Sequence, residues 1–389
     1  MIPYGRQNIN QDDIDSVLKV LKSDFLTQGP ITPEFEAEIS KYCKVKYAVA
    51  VINATSALHL ACLALGVGKD DIVWTSPISF VASANCAKYC GAKIDFIDID
   101  NDTFNISIDL LKQKLIDAEK NNNIPKVIVV VHLAGHSCDM KELKDLSLKY
   151  NFKIIEDASH ALGGKYLDLP VGSCSFSDIT VFSFHPVKII TTCEGGVCTT
   201  NDKYLYEKIY TLRSHGIVRN QEDMKNISHG SWYYEQLELG YNYRLNDLQS
   251  ALGINQLKRL DSFVKKRHEI AANYNLFFKN IDYVTTQKQK ENIYSSYHLF
   301  IIRIKKNSKQ TRKQIFEKFR SEGIFVNIHY IPIFKHPYYN NNFNESNYPN
   351  SLDYYSEAIS IPIFPQLEEK DIVKVKEVFL KSSNFQNLF

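Results

Sequence analysis

Apolar residues follow two different spacings along the first part of the chain, and the two spacings alternate. Between about residues 45 and 160, short runs rich in Val and Ile, typical of buried strands, are separated by segments with apolar residues at helical spacing. The predicted strands cover 47–51, 72–75, 93–98, 126–132 and 152–157, and the helices lie near 12–22, 32–43, 53–61, 81–90, 107–119 and 139–150. This alternation predicts an α/β fold in which helices cover both faces of a mainly parallel sheet.

The C-terminal part of the chain shows a sparser pattern of its own. A long helix over about 246–278, predicted to be bent, leads away from the sheet. Beyond it, a helix over 309–322 lies between predicted strands 297–304 and 325–330. We therefore predict a large domain, residues 1–258, and a smaller α+β C-terminal domain, residues 259–389.

Polar and aromatic side chains follow the predicted strands at the point where each strand ends. Thr55 and Phe80 each follow a strand, Asp157 closes one, and Ser183 closes another that precedes a loop with Lys188. Because ligands of parallel sheets bind beyond the carboxyl ends of the strands, we expect these five residues to share one site.

Lys188 is the candidate with the most reactive chemistry. It ends the segment Ser-Phe-His-Pro-Val-Lys, residues 183–188, and Pro186 prevents this segment from continuing the sheet. A lysine among apolar neighbours can lose its proton, and its neutral amine can then form a Schiff base with a carbonyl compound. The alternative is an ordinary surface lysine in a loop, and His185 in the same segment is a candidate for shaping that loop.

A small polar group precedes the helix that follows the first strand. In Asn-Ala-Thr-Ser-Ala, residues 53–57, Thr55 and Ser56 add hydroxyl groups to the free amides of a helix N-terminus. Free amides and the helix dipole favour a phosphate at this position. Simple capping of the helix is the alternative reading of the same residues.

Composition narrows the classes of partner. The 389 residues carry 46 Lys and Arg against 44 Asp and Glu, so a net charge of +2 gives no field that favours nucleic acid or membrane. The N-terminus lacks the apolar core of a signal peptide, and no apolar run has the length of a membrane span. Eight scattered cysteines fit reduced thiols in a cytoplasmic enzyme, and their spacing predicts no metal site.

Six motifs in order resemble the DegT/DnrJ/EryC1/StrS family of sugar aminotransferases, which use pyridoxal phosphate. They span essentially the whole chain and lie at 26–30 (Leu-Thr-Gln-Gly-Pro), 53–57, 157–160 (Asp-Ala-Ser-His), 183–196, 212–216 (Leu-Arg-Ser-His-Gly) and 240–244 (Gly-Tyr-Asn-Tyr-Arg). The resemblance implies the aspartate aminotransferase-like fold (fold type I). Within the family, three motifs are most similar to the enzyme of pseudaminic acid biosynthesis that aminates C4 of a UDP-linked 4-keto-6-deoxy-N-acetylhexosamine, with L-glutamate as amino donor.

The resemblance also implies a role for each matching residue. Lys188 would hold the cofactor covalently and later move a proton, and Asp157 would pair with the ring nitrogen, where a protonated ring is the better electron sink. The further cofactor contacts implied are Thr55, Ser56 and Ser183 at the phosphate, Phe80 stacked on the ring, His160 near the phenolic oxygen or ring face, and Asn242 at the phosphate of a neighbouring subunit. Asn242 therefore implies a homodimer with shared sites.

Five residues are candidates for the nucleotide-sugar side, and for each of them ordinary packing or loop hydrogen bonding is the alternative: Tyr4, Glu194, His215, His329 and Tyr330. A different nucleotide-linked keto-sugar stays open as the substrate, because loops such as 217–240 and 329–350 decide sugar choice. A dehydratase relative would carry histidine in place of Lys188. A non-catalytic binding or regulatory protein would not need the intact set of Lys188, Asp157 and Ser183. Flagellin or another surface glycan is the destination of the sugar that the resemblance implies.

Overall fold

The computed structural model describes residues 1–340 and 343–382 of the chain. Its strands are β1 (Ile2–Pro3), β2 (Tyr47–Val51), β3 (Ile72–Thr75), β4 (Lys93–Phe96), β5 (Val127–Val131), β6 (Lys153–Asp157), β7 (Lys165–Tyr166), β8 (Leu169–Pro170), β9 (Ile179–Ser183), β10 (Gly196–Thr200), β11 (Ile217–Val218), β12 (Glu235–Gln236), β13 (Val284–Thr286), β14 (Ile293–Tyr294), β15 (Phe300–Ile304), β16 (Ile324–Phe325) and β17 (Ala358–Ile361).

Its helices are α1 (Gln11–Leu21), α2 (Ile31–Cys43), α3 (Ala54–Ala64), α4 (Ala82–Tyr89), α5 (Ile108–Lys120), α6 (Met140–Tyr150), α7 (Lys203–Leu212), α8 (Asp247–Leu257), α9 (Leu260–Phe278), α10 (Arg312–Ser321), α11 (Pro349–Glu357) and α12 (Glu369–Ser382). Among the residues that the structure describes, none of these helices combines the length and the apolar character that crossing a bilayer requires.

A seven-stranded sheet in the order β2-β10-β9-β6-β5-β3-β4 forms the centre of the large domain. The pairs from β9 to β4 are all parallel, whereas β10 is antiparallel to both β9 and β2. Because β10 is antiparallel to both of its neighbours, β2 and β9 run in the same direction. The carboxyl end of β2 therefore lies at the same edge of the sheet as that of β9. The predicted mainly parallel sheet is therefore present, with one antiparallel strand inside it.

Alternate residues of the strands pack on opposite faces of this sheet. Val127 and Val129 of β5 join the core formed with α3, α4 and α7, whereas Ile128 and Val130 join the core formed with α5 and α6. In β2, Val49 faces the first of these cores. This alternation follows from the two-residue period of a strand, and it explains why the buried strands read as continuous apolar runs.

A smaller unit follows the long helical segment. Its three-stranded antiparallel sheet, β13-β15-β17, packs with α9, α10 and α12 around a separate apolar core. The first residues of the chain also reach this core, because β1 pairs in parallel with β16 and Ile2 is buried there. The boundary at residue 258 stays a prediction.

Two predicted elements differ from the structure. The helix expected over 246–278 is two helices, α8 and α9, separated at Lys258 and Arg259. The guanidinium of Arg259 donates to the side-chain and main-chain oxygens of Asn8, a tertiary contact that local sequence spacing does not reveal.

The strand expected over 325–330 was also wrong. Its sheet pairing ends at Phe325, and the chain beyond it makes only an isolated bridge between Asn327 and Ser360. Val326 packs in the C-terminal core, whereas Tyr330 packs against a second apolar cluster that includes Ile78 and Leu133, so tertiary packing gives this segment the apolar pattern of a strand.

Candidate active site

Three polar residues lie at the carboxyl ends of neighbouring or co-directional strands. Asp157 is the last residue of β6, Ser183 is the last residue of β9, and Thr55 lies in the first turn of α3, just after β2. Lys188 follows in the loop between β9 and β10, and Phe80 lies in the loop between β3 and α4. The strand order therefore places all five residues at one edge of the sheet, as the sequence pattern predicts.

The carboxylate of Asp157 is buried and fixed by serines on two sides. Ser83 of α4 donates its hydroxyl proton to Oδ2 at 2.6 Å, and Ser159 donates from its hydroxyl to Oδ1 at 2.6 Å and from its amide at 3.2 Å. Ser79 lies 2.6 Å from the hydroxyl of Ser83 and extends the chain of hydrogen bonds. These contacts hold the carboxylate in one orientation, as a group that pairs with a ligand cation requires.

The amine of Lys188 lies close enough to Asp157 for the two groups to interact electrostatically. Burial lowers the pKa of Lys188 from 10.5 to about 8, and the negative charge of Asp157 opposes this change by favouring the protonated amine. A pKa near 8 leaves a useful fraction of neutral amine at neutral pH, which is the form that attacks a carbonyl.

The N-terminus of α3 provides a site for an anion. Asn53 caps the helix by accepting the amide proton of Ser56 at 2.8 Å, and the amides of Ala54 and Thr55 have no partner within the helix. Gly196 of β10 packs directly against this turn, since an added Cβ atom would lie 2.6 Å from the carbonyl carbon of Asn53. The hydroxyl groups predicted to bind phosphate therefore surround a helix N-terminus with free amides.

A group of buried rings forms the other wall of the site. His160 Nε2 lies 3.1 Å from Tyr330 Oη, and the Tyr330 ring is 6.2 Å from that of Phe80. His329 lies 5.0 Å from the ring of Tyr4 and binds the Ser360 hydroxyl through Nδ1 at 2.8 Å. The structure thus brings His160, Phe80 and three of the predicted sugar-side residues together.

Burial and the nearby Lys188 affect the titration of these rings. Burial lowers the pKa of His329 to about 3, with a further contribution from Lys188. Burial, Lys188 and His329 lower the pKa of His160 well below its usual range, and burial raises the pKa of Tyr330. Both imidazoles are therefore neutral and Tyr330 keeps its proton at physiological pH.

Three predicted site residues lie on the surface of the single chain. Glu194 and Asn242 are exposed, and so is His215, whose amide donates to the carbonyl of Tyr241 at 2.8 Å. Asn242 forms an isolated β-bridge with Ser214, the residue before His215, so His215 and Asn242 lie close together on the surface. The single chain does not bring these three residues into the group of buried rings.

Sequence reasoning did not identify three residues at this site: Ser83, Ser159 and His298. Ser159 belongs to the motif 157–160 and Ser83 to the predicted helix 81–90, but the sequence does not connect either serine to the carboxylate of Asp157. His298 was read as part of a strand, whereas it is a buried residue before β15 whose ring lies 4.4 Å from that of His160. The local sequence signal for His298 is a polar group, with Ser295 and Ser296, directly before an apolar strand.

This set of donors fits pyridoxal phosphate. An amine with a lowered pKa suits the aldehyde, a fixed carboxylate suits the ring nitrogen, and a helix N-terminus flanked by hydroxyl groups suits the phosphate. Lys188, Asp157 and Thr55, which carry the amine, the carboxylate and a hydroxyl group, all lie at one edge of the sheet. Among the described residues, no group of His, Cys, Asp and Glu has the arrangement of a metal site.

Comparison with known proteins agrees with this chemistry. The family model of the DegT/DnrJ/EryC1/StrS aminotransferases matches residues 7–379. The chain belongs to this aminotransferase family. The membership confirms the predicted enzyme class, and with it pyridoxal phosphate as the cofactor.

Individual relatives cover almost the entire chain. A Campylobacter jejuni protein named UDP-4-amino-4,6-dideoxy-N-acetyl-beta-L-altrosamine transaminase is 43% identical over 377 residues, which are 97% of this chain and 96% of that protein. The structure of Helicobacter pylori PseC, an aminotransferase involved in the biosynthesis of pseudoaminic acid, matches with a TM-score of 0.90 at 33% identity and 99% coverage of both chains. The PLP form of the putative sugar aminotransferase Spr1654 from Streptococcus pneumoniae matches with a TM-score of 0.87 at 30% identity, again with 99% of both chains covered. These likenesses confirm the predicted fold class.

Proposed function

We propose that the protein transfers the amino group of L-glutamate to C4 of a UDP-linked 4-keto-6-deoxy-N-acetylhexosamine, the sugar UDP-2-acetamido-2,6-dideoxy-β-L-arabino-hex-4-ulose of the pseudaminic acid pathway. The observation that carries the chemistry is the pairing of a low-pKa amine, Lys188, with the fixed carboxylate of Asp157. The 43% identity to the Campylobacter jejuni transaminase over 97% of the chain supports this choice of sugar.

Lys188 acts as the base and acid of the reaction. Because its pKa is about 8, Lys188 Nζ can accept a proton from a reacting carbon and return it to another without a large energetic mismatch at neutral pH. The neighbouring carboxylate of Asp157 favours the protonated amine and offsets part of the effect of burial. A group that both accepts and returns a proton works best when its pKa is near the working pH, and Lys188 meets this condition.

The remaining polar residues at the strand ends hold the cofactor. Thr55, Ser56 and Ser183 would bind its phosphate together with the α3 amides, Asp157 would pair with its ring nitrogen, and Phe80 and His160 would contact its ring. When bound, pyridoxal phosphate supplies the electron sink that stabilises negative charge at the reacting carbon. The fixed hydrogen bonds from Ser83 and Ser159 keep Asp157 in place for this pairing.

The sugar binds on the side of the buried rings. Tyr4, His329 and Tyr330 form a wall of mixed apolar and polar character, which suits a pyranose ring with its hydroxyl groups. Neutral His329 and protonated Tyr330 offer hydrogen bonds without adding charge next to Lys188.

A second copy of the chain completes each site. Asn242 reaches the phosphate of the partner's cofactor, and the exposed Glu194 and His215 contribute to the sugar side at the same interface. The exposure of all three residues on the single chain supports this arrangement. Cytoplasmic location and transfer of the product sugar to flagellin or another surface glycan stay predictions.

Product analysis tests the proposed function. The cofactor-loaded enzyme is incubated with L-glutamate and the UDP-linked 4-keto sugar, and the product is examined by NMR for an amine at C4 and by mass spectrometry. We expect the 4-amino sugar together with 2-oxoglutarate, and no product from Lys188→Ala. Amination of a keto-sugar linked to a different nucleotide, with no product from the UDP-linked one, would replace the proposed substrate.

A further inference from the structure

Both ring nitrogens of His160 have a defined hydrogen-bond partner. The amide of Ala134 points at Nδ1 from 3.3 Å, and Tyr330 Oη lies 3.1 Å from Nε2. An amide nitrogen can only donate a proton, so Nδ1 must be the nitrogen that accepts. A neutral imidazole carries its proton on the other nitrogen, which here is Nε2.

The surrounding chain holds His160 in this orientation. Ala134 adopts a left-handed conformation with φ of 61°, which is unfavourable for an alanine, and its amide lies 3.3 Å from Nδ1 of the imidazole. Ser296 donates its hydroxyl proton to the carbonyl of His160 at 2.6 Å, and the ring of His298 lies 4.4 Å away. Rotation of the imidazole would therefore break its contacts with Ala134 and Tyr330.

This tautomer determines what Tyr330 does with its own proton. His160 Nε2 donates to a lone pair of Tyr330 Oη, so the phenolic proton cannot point back at His160. Within residues 1–340 and 343–382, Tyr330 Oη makes no other hydrogen bond. The hydroxyl group is thus a donor whose partner is missing from the chain itself.

Tyr330 faces the ligand side of the strand ends. Its ring lies 6.2 Å from the exposed ring of Phe80. Burial is the main cause that raises the pKa of Tyr330, and the nearby Tyr4 and the negative charge of Asp157 add to it. A ligand bound on this side can therefore accept the phenolic proton.

We propose that Tyr330 donates a hydrogen bond to an oxygen atom of the bound keto-sugar, and that His160 is the positioning residue that aims this donor. The proposal deepens the proposed function and rests on it for the identity of the sugar. The acceptor is a carbonyl or hydroxyl oxygen, because an ammonium or amide N–H group would leave the phenolic proton unpaired.

The groups that face His160 favour its neutral form. Lys188, His298, His329 and Tyr330 surround the imidazole, and none of them carries a negative charge at neutral pH. The tautomer is therefore expected to persist over the whole working range of the enzyme.

Nitrogen NMR tests the tautomer without any turnover. The cofactor-loaded protein is labelled with ¹⁵N-histidine, and the His160 signals are assigned by their loss in His160→Gln. We expect Nε2 to be protonated and Nδ1 to be unprotonated, with no titration between pH 6 and pH 8, since about 6.5 is the ordinary pKa of histidine. A protonated Nδ1, or titration near pH 6.5, overturns the proposal.

Half-reaction kinetics test the donor. Tyr330→Phe keeps the ring and removes the proton, so kcat/KM of the sugar half-reaction should fall about tenfold, whereas the glutamate half-reaction should change less than about twofold. Tyr204→Phe on the exposed face of α7 is the matched control and should leave both rates unchanged. Equal losses in both half-reactions of Tyr330→Phe, or no loss in either, contradict the proposal.

A conservative replacement separates positioning from simple packing. His160→Gln offers one acceptor for Ala134 and one donor for Tyr330, so it should recover most of the sugar half-reaction that His160→Leu loses. Because His160 acts through Tyr330, the step from His160 to Leu should cost less in the Tyr330→Phe background than in the native protein. Additive losses would show that the two residues act independently and would overturn the positioning role.

Failure of the proposed function has a different signature. If the native enzyme does not aminate the UDP-linked sugar, the proposed substrate is wrong, and the NMR experiment still decides the His160 tautomer. If the native enzyme is active and Tyr330→Phe equals it, the proposed function holds and the inference about Tyr330 fails.

Discussion

At the scale of single residues, Lys188 carries the greatest weight. Replacement by alanine removes the amine that joins the cofactor and moves the proton, so Lys188→Ala should lose the yellow colour of the lysine-bound cofactor and turnover by at least about a thousandfold. Lys203→Ala, in an exposed ion pair with Glu207, is the matched control and should keep both. Absorbance spectra and steady-state rates of the two purified variants decide the matter, and normal turnover by Lys188→Ala would refute its role.

The pKa of Lys188 predicts how the cofactor-free protein captures pyridoxal phosphate at different pH values. The neutral amine is the reactive form, so the rate should rise about tenfold per pH unit below the pKa of about 8 and level off above it. Stopped-flow absorbance at a series of pH values measures this profile. A midpoint near 10.5, the ordinary value, would contradict the effect of burial.

Asp157→Asn should move that midpoint in a known direction. The negative charge of Asp157 favours protonated Lys188, so its removal lowers the pKa of the amine and shifts the capture profile to lower pH. The same variant should slow the proton transfer step, because the ring nitrogen loses its anionic partner. An upward shift, or a single-turnover rate near the native one, would contradict this account of Asp157.

The sequence predicted that Asp157 and Lys188 lie at the same edge of the sheet, but not the serines that hold the carboxylate of Asp157. Asp157 and Lys188 stand out because they follow apolar strand segments, a local pattern. Ser83 is 74 positions from the aspartate that it binds, so only the packing of α4 beside the sheet brings the two together. A contact of that range leaves no local signal.

At the scale of elements, the close approach of β10 to the start of α3 shapes the proposed phosphate site. In Gly196→Ala the new Cβ would lie 2.6 Å from the carbonyl carbon of Asn53 and 2.7 Å from the amide nitrogen of Ala54. The backbone must shift, which we expect to destabilise the fold by about 1–3 kcal/mol and to weaken retention of the cofactor phosphate. Denaturant unfolding and dialysis of the loaded protein measure the two effects.

The matched control for this prediction is Gly68→Ala. No atom lies within 4 Å of a Cβ added at Gly68, so this variant should unfold and retain the cofactor like the native protein. Equal behaviour of the two alanine variants would show that the close approach at Gly196 is not required.

Elements were predictable where local pattern and tertiary packing agree. The bounds of β2 and β3 match the predicted strands, because buried apolar runs end at polar turns on both sides. The segment 325–330 has the same local pattern, but its sheet pairing ends at Phe325 and its later apolar residues are buried by tertiary packing. The break between α8 and α9 has no glycine or proline to mark it, and the Arg259–Asn8 contact that accompanies it is long-range.

At the scale of the whole molecule, the proposed sharing of sites can be tested with mixed dimers. Asn242→Ala should weaken cofactor retention, and Lys188→Ala should be inactive. In a dimer with one subunit of each kind, one site combines an intact Lys188 with an intact Asn242 from the partner, so about half of the native activity should return. Differently tagged subunits allow isolation of the mixed dimer, and no recovery would exclude sharing through Asn242.

The sequence pattern does not predict the order of the strands in the sheet. It also does not predict that β1 packs in the C-terminal core. Alternating strands and helices predict a parallel sheet but not its order, nor the antiparallel direction of β10. A two-residue strand such as β1 has too few positions to show a period, and its pairing with β16 joins opposite ends of the chain.

The most direct test of the central claim is the visible spectrum of the cofactor-loaded protein, recorded before and after L-glutamate and again after the UDP-linked 4-keto sugar. The account predicts a yellow band from the Lys188-bound cofactor that bleaches with glutamate and returns with the sugar. A band that glutamate leaves unchanged would contradict the proposed donor, and the absence of any band after pyridoxal phosphate is supplied would contradict the assignment of Lys188 itself.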